Sequence, residues 1–127
     1  MTTAKKYEFS VTVAATFMAD QSDIEENRYV FSYTVYITNT GTVPAQLISR
    51  HWVISDSMGS EQEVRGLGVV GVQPLLHPGE HFEYTSGTAL TTPVGSMRGA
   101  YQVVAEDGTQ FEAIIESFTL SMPRVLH

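Results

Sequence analysis

Tyr7-Glu-Phe-Ser-Val-Thr-Val-Ala-Ala-Thr-Phe17 is the stretch on which the reading of the fold turns. Its apolar side chains, Tyr7, Phe9, Val11, Val13, Ala15 and Phe17, alternate with Glu8, Ser10, Thr12 and Thr16. That two-residue period belongs to a strand with one buried face. A polar, acidic connection over Gln21 to Asn27 follows, and then Tyr29, Phe31, Tyr33, Val35 and Ile37 repeat the alternation. This second strand ends at Asn39-Thr40-Gly41. After Pro44, Ile48, Trp52 and Ile54 fall on one face of a third strand, which stops at Asp56-Ser57-Met58-Gly59. A short polar strand around Glu61 to Val64 is expected to pair with it.

From Gly66 to Pro93 Gly, Pro and Thr recur and the period lapses, so a long structured loop region is expected, with a strand near Phe82 to Ser86. Regularity returns in Tyr101, Val103 and Ala105, and again in Phe111, Ala113 and Ile115. Asp107-Gly108 between them is a tight-hairpin signal. Beyond Ile115 the buried phase slips, because Phe118 and Leu120 occupy even positions, and a β-bulge at Glu116-Ser117 is predicted. No window supports a helix of ordinary length. About seven short strands spaced by turns indicate an all-β fold, a two-sheet sandwich of the fibronectin type III or immunoglobulin-like kind, with Trp52 and Tyr101 in its core.

The 127 residues leave room for one domain, residues 1–127. Seven basic against fourteen acidic side chains give a formal charge of −7, a sign that repels phosphate backbones and anionic lipid. No nucleic acid and no membrane partner is therefore expected. Cysteine is absent, which excludes disulfides, thiol chemistry and Cys-type zinc sites, and a cytoplasmic location is expected. Lys5-Lys6 with Val11 to Met18 is too interrupted by Ser10, Thr12 and Thr16 for a signal peptide.

One further pattern spans nearly the whole chain. It comprises Arg50, Trp52, Ile54 and Asp56, then Gly66-Leu-Gly-Val-Val-Gly-Val-Gln-Pro74 with Leu75. It continues through Pro78-Gly79-Glu80, Phe82, Tyr84-Thr-Ser-Gly87, Thr92-Pro93, Gly95, Met97, Gly99 and Tyr101 to the ending Met122-Pro-Arg-Val-Leu-His127. The chain thereby resembles the ApaG family. That resemblance implies a fibronectin type III-like sandwich used alone or as a domain of larger proteins such as F-box proteins. It also implies protein recognition and an indirect link to cobalt resistance and magnesium efflux. Glu116 stands where the family usually has proline.

Several constellations invite a chemical reading. Gly66-x-Gly68-x-x-Gly71 matches the dinucleotide fingerprint, but Val69, Val70, Val72 and Pro74 are poor helix starters and no βαβ unit surrounds them. The glycines could present backbone N–H groups to an anion, or simply permit a demanding backbone conformation. His77-Pro-Gly-Glu80-His81 spells a zinc-protease pattern that needs a helix, whereas Pro78-Gly79 suits the centre of a type II turn. His51, Asp56 and Ser86 supply the types of a catalytic triad without a nucleophile elbow. Asp20, Asp23, Glu25 and Glu26 lack the spacing of a calcium loop.

No enzyme and no cofactor is expected. The expected function is a binding module with an unidentified protein partner and a possible homodimer. Small-ligand binding, of a phosphate-rich metabolite at the glycine-rich loop or of a divalent cation, is the second class. The candidate binding residues are Gly66, Gly68, Val69, Val70, Gly71, Gln73, Pro78, Gly79, Glu80, Tyr84 and Ser86, on loops held by a rigid frame.

Overall fold

The computed structural model describes residues 5–123, so residues 124–127 of the family-like ending lie outside it. Eight strands follow in order: β1 (Phe9–Phe17), β2 (Tyr29–Asn39), β3 (Ala45–Asp56), β4 (Glu61–Leu67), β5 (Leu75–Leu76), β6 (His81–Leu90), β7 (Val94–Ala105) and β8 (Gln110–Ser121). Two 3₁₀ turns, Ala19–Gln21 and Ile24–Glu26, fill the acidic connection between β1 and β2. The strands form two antiparallel layers. One has the order β1-β2-β6; the other has the order β4-β3-β7-β8, with β5 also on β3.

The alternation read from β1 and β2 is the alternation that packs. Phe31, Tyr33, Val35 and Ile37 on β2 are buried, and β1 runs beside them in unbroken register from Phe9 opposite Asn39 to Phe17 opposite Phe31. Trp52 takes the centre of the core, 5.4 Å from Tyr33, 6.4 Å from Tyr101 and 6.0 Å from Phe118 between ring centroids. Tilted and edge-on rings at these separations add to the stabilisation that their buried area supplies.

The predicted bulge is present in β8. Met97 pairs with Phe118 and Gly99 with Ile115, so Arg98 alone faces the two residues Glu116 and Ser117. β3 contains a second bulge that its sequence did not announce. Leu47 pairs with Val103 and Ser49 with Gln102, leaving Ile48 without a partner on β7. The expectation that Ile48 shares the face of Trp52 and Ile54 is corrected by this extra residue, which hands the inward positions before it to Ala45 and Leu47.

The loop region expected from Gly66 to Pro93 is shorter than its composition suggested. β6 covers ten residues through the Thr-Ser-Gly-Thr run, because β2 pairs with it from Thr38 opposite His81 to Tyr29 opposite Leu90. Along one side of the sandwich β1 lies against β8, and Tyr7 reaches across to the β7–β8 hairpin. There the Tyr7 hydroxyl donates to Asp107 Oδ2 and accepts from Thr109 Oγ1 at 3.2 Å. The opposite side, between β6 and β4, has no comparable approach of strands.

Candidate functional site

The segment from Gly66 to Leu76 is one interrupted edge strand. β4 pairs with β3 as far as Leu67, the chain then lifts away, and β5 rejoins β3 opposite Ala45 and Gln46. In the lifted part Val69 and Val72 exchange backbone hydrogen bonds of 2.8 and 3.0 Å around Val70-Gly71. Both turn residues have positive φ, +41° at Val70 and +83° at Gly71. A two-residue hairpin with both centres left-handed normally carries Asn-Gly or Gly-Gly, because a β-branched side chain is strained there. Val70 is held in that conformation with 59% of its surface exposed.

What holds it is a set of bonds from β3. Arg50 Nη1 donates to the carbonyls of Leu67 and Gly68, each at 3.0 Å. The carbonyl of the bulged Ile48 accepts from Gly68 N–H at 2.8 Å and from Gln73 Nε2 at 2.9 Å. Gln46 Nε2 donates to Gln73 O at 3.0 Å, and Leu47 N–H to Pro74 O at 3.0 Å. Gly66 makes this possible, since a Cβ there would stand 2.7 Å from Arg50 Nη1. The β3 bulge thus presents a carbonyl to the loop, and Arg50 clasps the loop from the inner side of the edge.

A second anchor lies at the end of β2. Asn39 is 2% exposed, and all the capacity of its amide that the turn requires is met. Nδ2 donates to Val43 O and Leu76 O, both at 2.9 Å, while Oδ1 accepts from Gly41 N–H at 2.9 Å. Its backbone carbonyl accepts from Gly79 N–H at 2.8 Å and its N–H donates to Glu80 O at 2.9 Å. One side chain therefore ties the β2–β3 turn to β5, and its backbone ties both to the turn at Pro78-Gly79. That turn is of type II, closed by Glu80 N–H to His77 O at 2.9 Å with Gly79 at φ +85°. The Glu80 carboxylate accepts from His77 N–H at 2.6 Å and faces His77 Nδ1 at 2.8 Å. The backbone N–H bond, then the ring bond, hold its carboxyl below the usual carboxylate range.

The structure sorts the candidate residues sharply. Val70 and Gly71 form the exposed turn, Gly68 is buried just before it, and Pro78, Gly79 and Glu80 form the second turn beneath it. Val69, one of the candidate binding residues, is completely buried in the core and cannot serve as a surface contact. Gln73 points its amide back to β3. Tyr84 is buried as well, with its hydroxyl bonded to that of Tyr101. Ser86 lies apart, on the inner side of β6 beside a cleft. The exposed apolar area of the loop belongs instead to Leu67, at 74%, with Val70, Val72 and Leu75. Loop residues obey no period, so their facing was not readable, but the density of aliphatic residues between three glycines was.

The other constellations do not assemble. His51 Nε2 faces Glu63 at 3.2 Å, Asp56 Oδ1 accepts from Met58 and Ser60 N–H at the end of β3, and Ser86 sits on β6. Among the described residues no group of three or more His, Cys, Asp or Glu could hold a metal ion. In the glycine-rich turn the N–H groups of Gly68, Val69 and Val72 are engaged within the protein, as given above.

The buried hydroxyl pair has a measurable consequence. Burial pushes the Tyr84 hydroxyl up to about 12 and pushes Tyr101 in the same direction. Unfolded tyrosine releases its proton near pH 10, so this contribution to stability is complete below about pH 10 and is lost as pH rises toward 12. The expected alkaline slope is about 1 kcal/mol per pH unit per hydroxyl. Urea unfolding between about pH 9 and 11.5 should show it, with a shallower slope in Tyr84→Phe. Equal slopes in the two proteins would refute the assignment.

Two antiparallel layers with Trp52 and Tyr101 at their centre, and a stapled loop at one edge, define a β-sandwich of the fibronectin type III kind. The ApaG domain pattern matches residues 19–105, and the chain belongs to the ApaG family. Protein ApaG of Methylobacillus flagellatus is 67% identical over 127 residues, covering 100% of both chains. Protein ApaG of Nitrosospira multiformis is 64% identical with the same coverage. Among solved structures, the crystal structure of a Bordetella pertussis protein described as ApaA superposes with a TM-score of 0.94 at 57% identity, covering 97% of this chain and 100% of that one. No helix among the described residues is long and apolar enough to cross a membrane.

Proposed function

We propose that this chain is a non-enzymatic, cytoplasmic protein-recognition module whose contact surface is the stapled loop, with Leu67, Val70, Val72 and Leu75 as its apolar contacts. The observation that carries the reading is Val70: a β-branched residue kept exposed in a left-handed conformation at the tip of a loop that β3 fastens with six hydrogen bonds. Strain of this sort costs on the order of 1–3 kcal/mol and persists where the surrounding structure enforces it, commonly at sites of function. A rigid apolar tip also suits recognition, because little ordering entropy is lost on binding. The link to cobalt resistance and magnesium efflux that the family resemblance implies then runs through the bound protein.

The test places a photo-crosslinking residue at position 70 in cells and identifies the adduct. Val70→Asp and Leu75→Asp are expected to melt within about 2 °C of the parent, since both side chains face solvent, and to lose the recovered partner. Val70→Gly should raise stability by relieving strain while weakening the same interaction. Retained capture by both aspartate variants would sink the reading.

A further inference from the structure

Each exposed edge of the sandwich carries a device against strand addition except one. β4 carries Glu61, Glu63 and Arg65 along its length; β8 carries its bulge with Glu112 and Glu116, and β1 lies against β8. β6 ends its sheet with Thr85-Ser86-Gly87-Thr88-Ala89, which has no charge, no proline and no break in register. A flat, uncharged edge of this kind is a template for another strand.

The space beside that edge has the shape of a missing strand. Among the described residues the three-stranded layer has no strand opposite β4, and the inner residues Gln62 and Val64 line an open cleft of about 410 Å³ shared with Ser86 and Thr88 of β6. Trp52 and Met97 form part of its floor. Among the described residues, the side chains of Gln62, Ser86 and Thr88 make no hydrogen bond within the protein. Among the described residues Arg50 is the single charged one lining the cleft, and no carboxylate lies within 4.0 Å of it.

We propose that β6 accepts an extended peptide strand along its free edge, with the peptide's inward side chains filling the cleft over β4 and a single inward carboxylate meeting Arg50. Main-chain bonds to the edge would supply affinity, and alternate side chains in the cleft would supply selection. The lone Arg50 in the cleft favours a foreign segment with one matching carboxylate over a second copy. The Thr85 to Ala89 stretch of another chain carries no carboxylate to meet Arg50. This surface is distinct from the loop tip and does not depend on it.

The test pans a display library of random peptides, about twelve residues long so as to span β6, against the full chain. Enriched sequences are expected to alternate apolar and other residues and to carry one Asp or Glu in the inward phase. The synthesised peptide should slow hydrogen exchange of β6 amides between Thr85 and Ala89. Its affinity should fall at least about tenfold when its acid becomes the matching amide. Val64→Trp, which fills the cleft from the β4 side without touching the Arg50 bonds, should abolish binding with the melting temperature preserved, and Val70→Asp should leave it intact. The proposal is overturned by any of four results: absence of enrichment, protection confined to residues 67–75, full competition by free glutamate at matched ionic strength, or β6 protection that rises with protein concentration alone.

Discussion

Asn39→Asp is expected to cost about 4 kcal/mol or more at neutral pH, a fall in melting temperature of about 15 °C for a chain of this size. The carboxylate retains the acceptor for Gly41 N–H but cannot donate to Val43 O and Leu76 O, which then face it unpaired. An unmet buried polar group costs about 1–3 kcal/mol, and a buried charge adds to that. The introduced carboxyl would therefore titrate above the ordinary range. Its proton is held more tightly in the folded chain, so the deficit should shrink below about pH 4 and grow as pH rises through the elevated value. Thermal melts of the variant and parent between about pH 3.5 and 7 check both the size and the sign. A variant as stable as the parent at pH 7 would remove Asn39 from its central role.

Arg50→Ala is the second large effect. It deletes a charged donor shared by two carbonyls, one of them at the solvent boundary, for an expected loss of about 2–3 kcal/mol. The more telling outcome is local. With the clasp gone, amides from Gly68 to Gln73 should exchange with solvent faster, by far more than those of β2. Arg50→Met separates the stem from the head, keeping an apolar stem beside the cleft and losing the bonds. Arg50→Lys should recover only part of the loss, because an ammonium cannot reproduce the planar fork that lies over Gly66. Uniform acceleration across both sheets would instead indicate general destabilisation and would contradict the clasp.

Strand phase was the most readable level of this chain. The parity change between Ile115 and Phe118 located the β8 bulge to the residue, since a shift in buried phase demands an extra residue. The β3 bulge escaped because Ile48 is apolar and in phase with Trp52, so nothing in the pattern signals that it is surplus. β6 was foreseen only near Phe82 to Ser86 and its second half escaped for the opposite reason: Ser-Gly-Thr reads as loop, and only pairing with β2 makes it a strand. At the candidate site the loop was found by its glycines and its second turn by Pro-Gly, but which valine faces solvent is decided by the turn, not by alternation. Two signals were present and unused. Arg50 shares the inward parity of Trp52 and Ile54, an unusual position for a guanidinium, and Asn39-x-Gly41 is the sequence of a side chain that bonds its own turn.

The clasp between Tyr7 and the β7–β8 hairpin joins residues a hundred positions apart. A core in which β1 lies against β8 cannot close until β8 has left the ribosome. Such non-local topologies fold over milliseconds to seconds. During that interval the apolar face of β2 is open to chaperones and to other nascent chains, so the dependence of this protein on cellular folding assistance should track translation speed over β8.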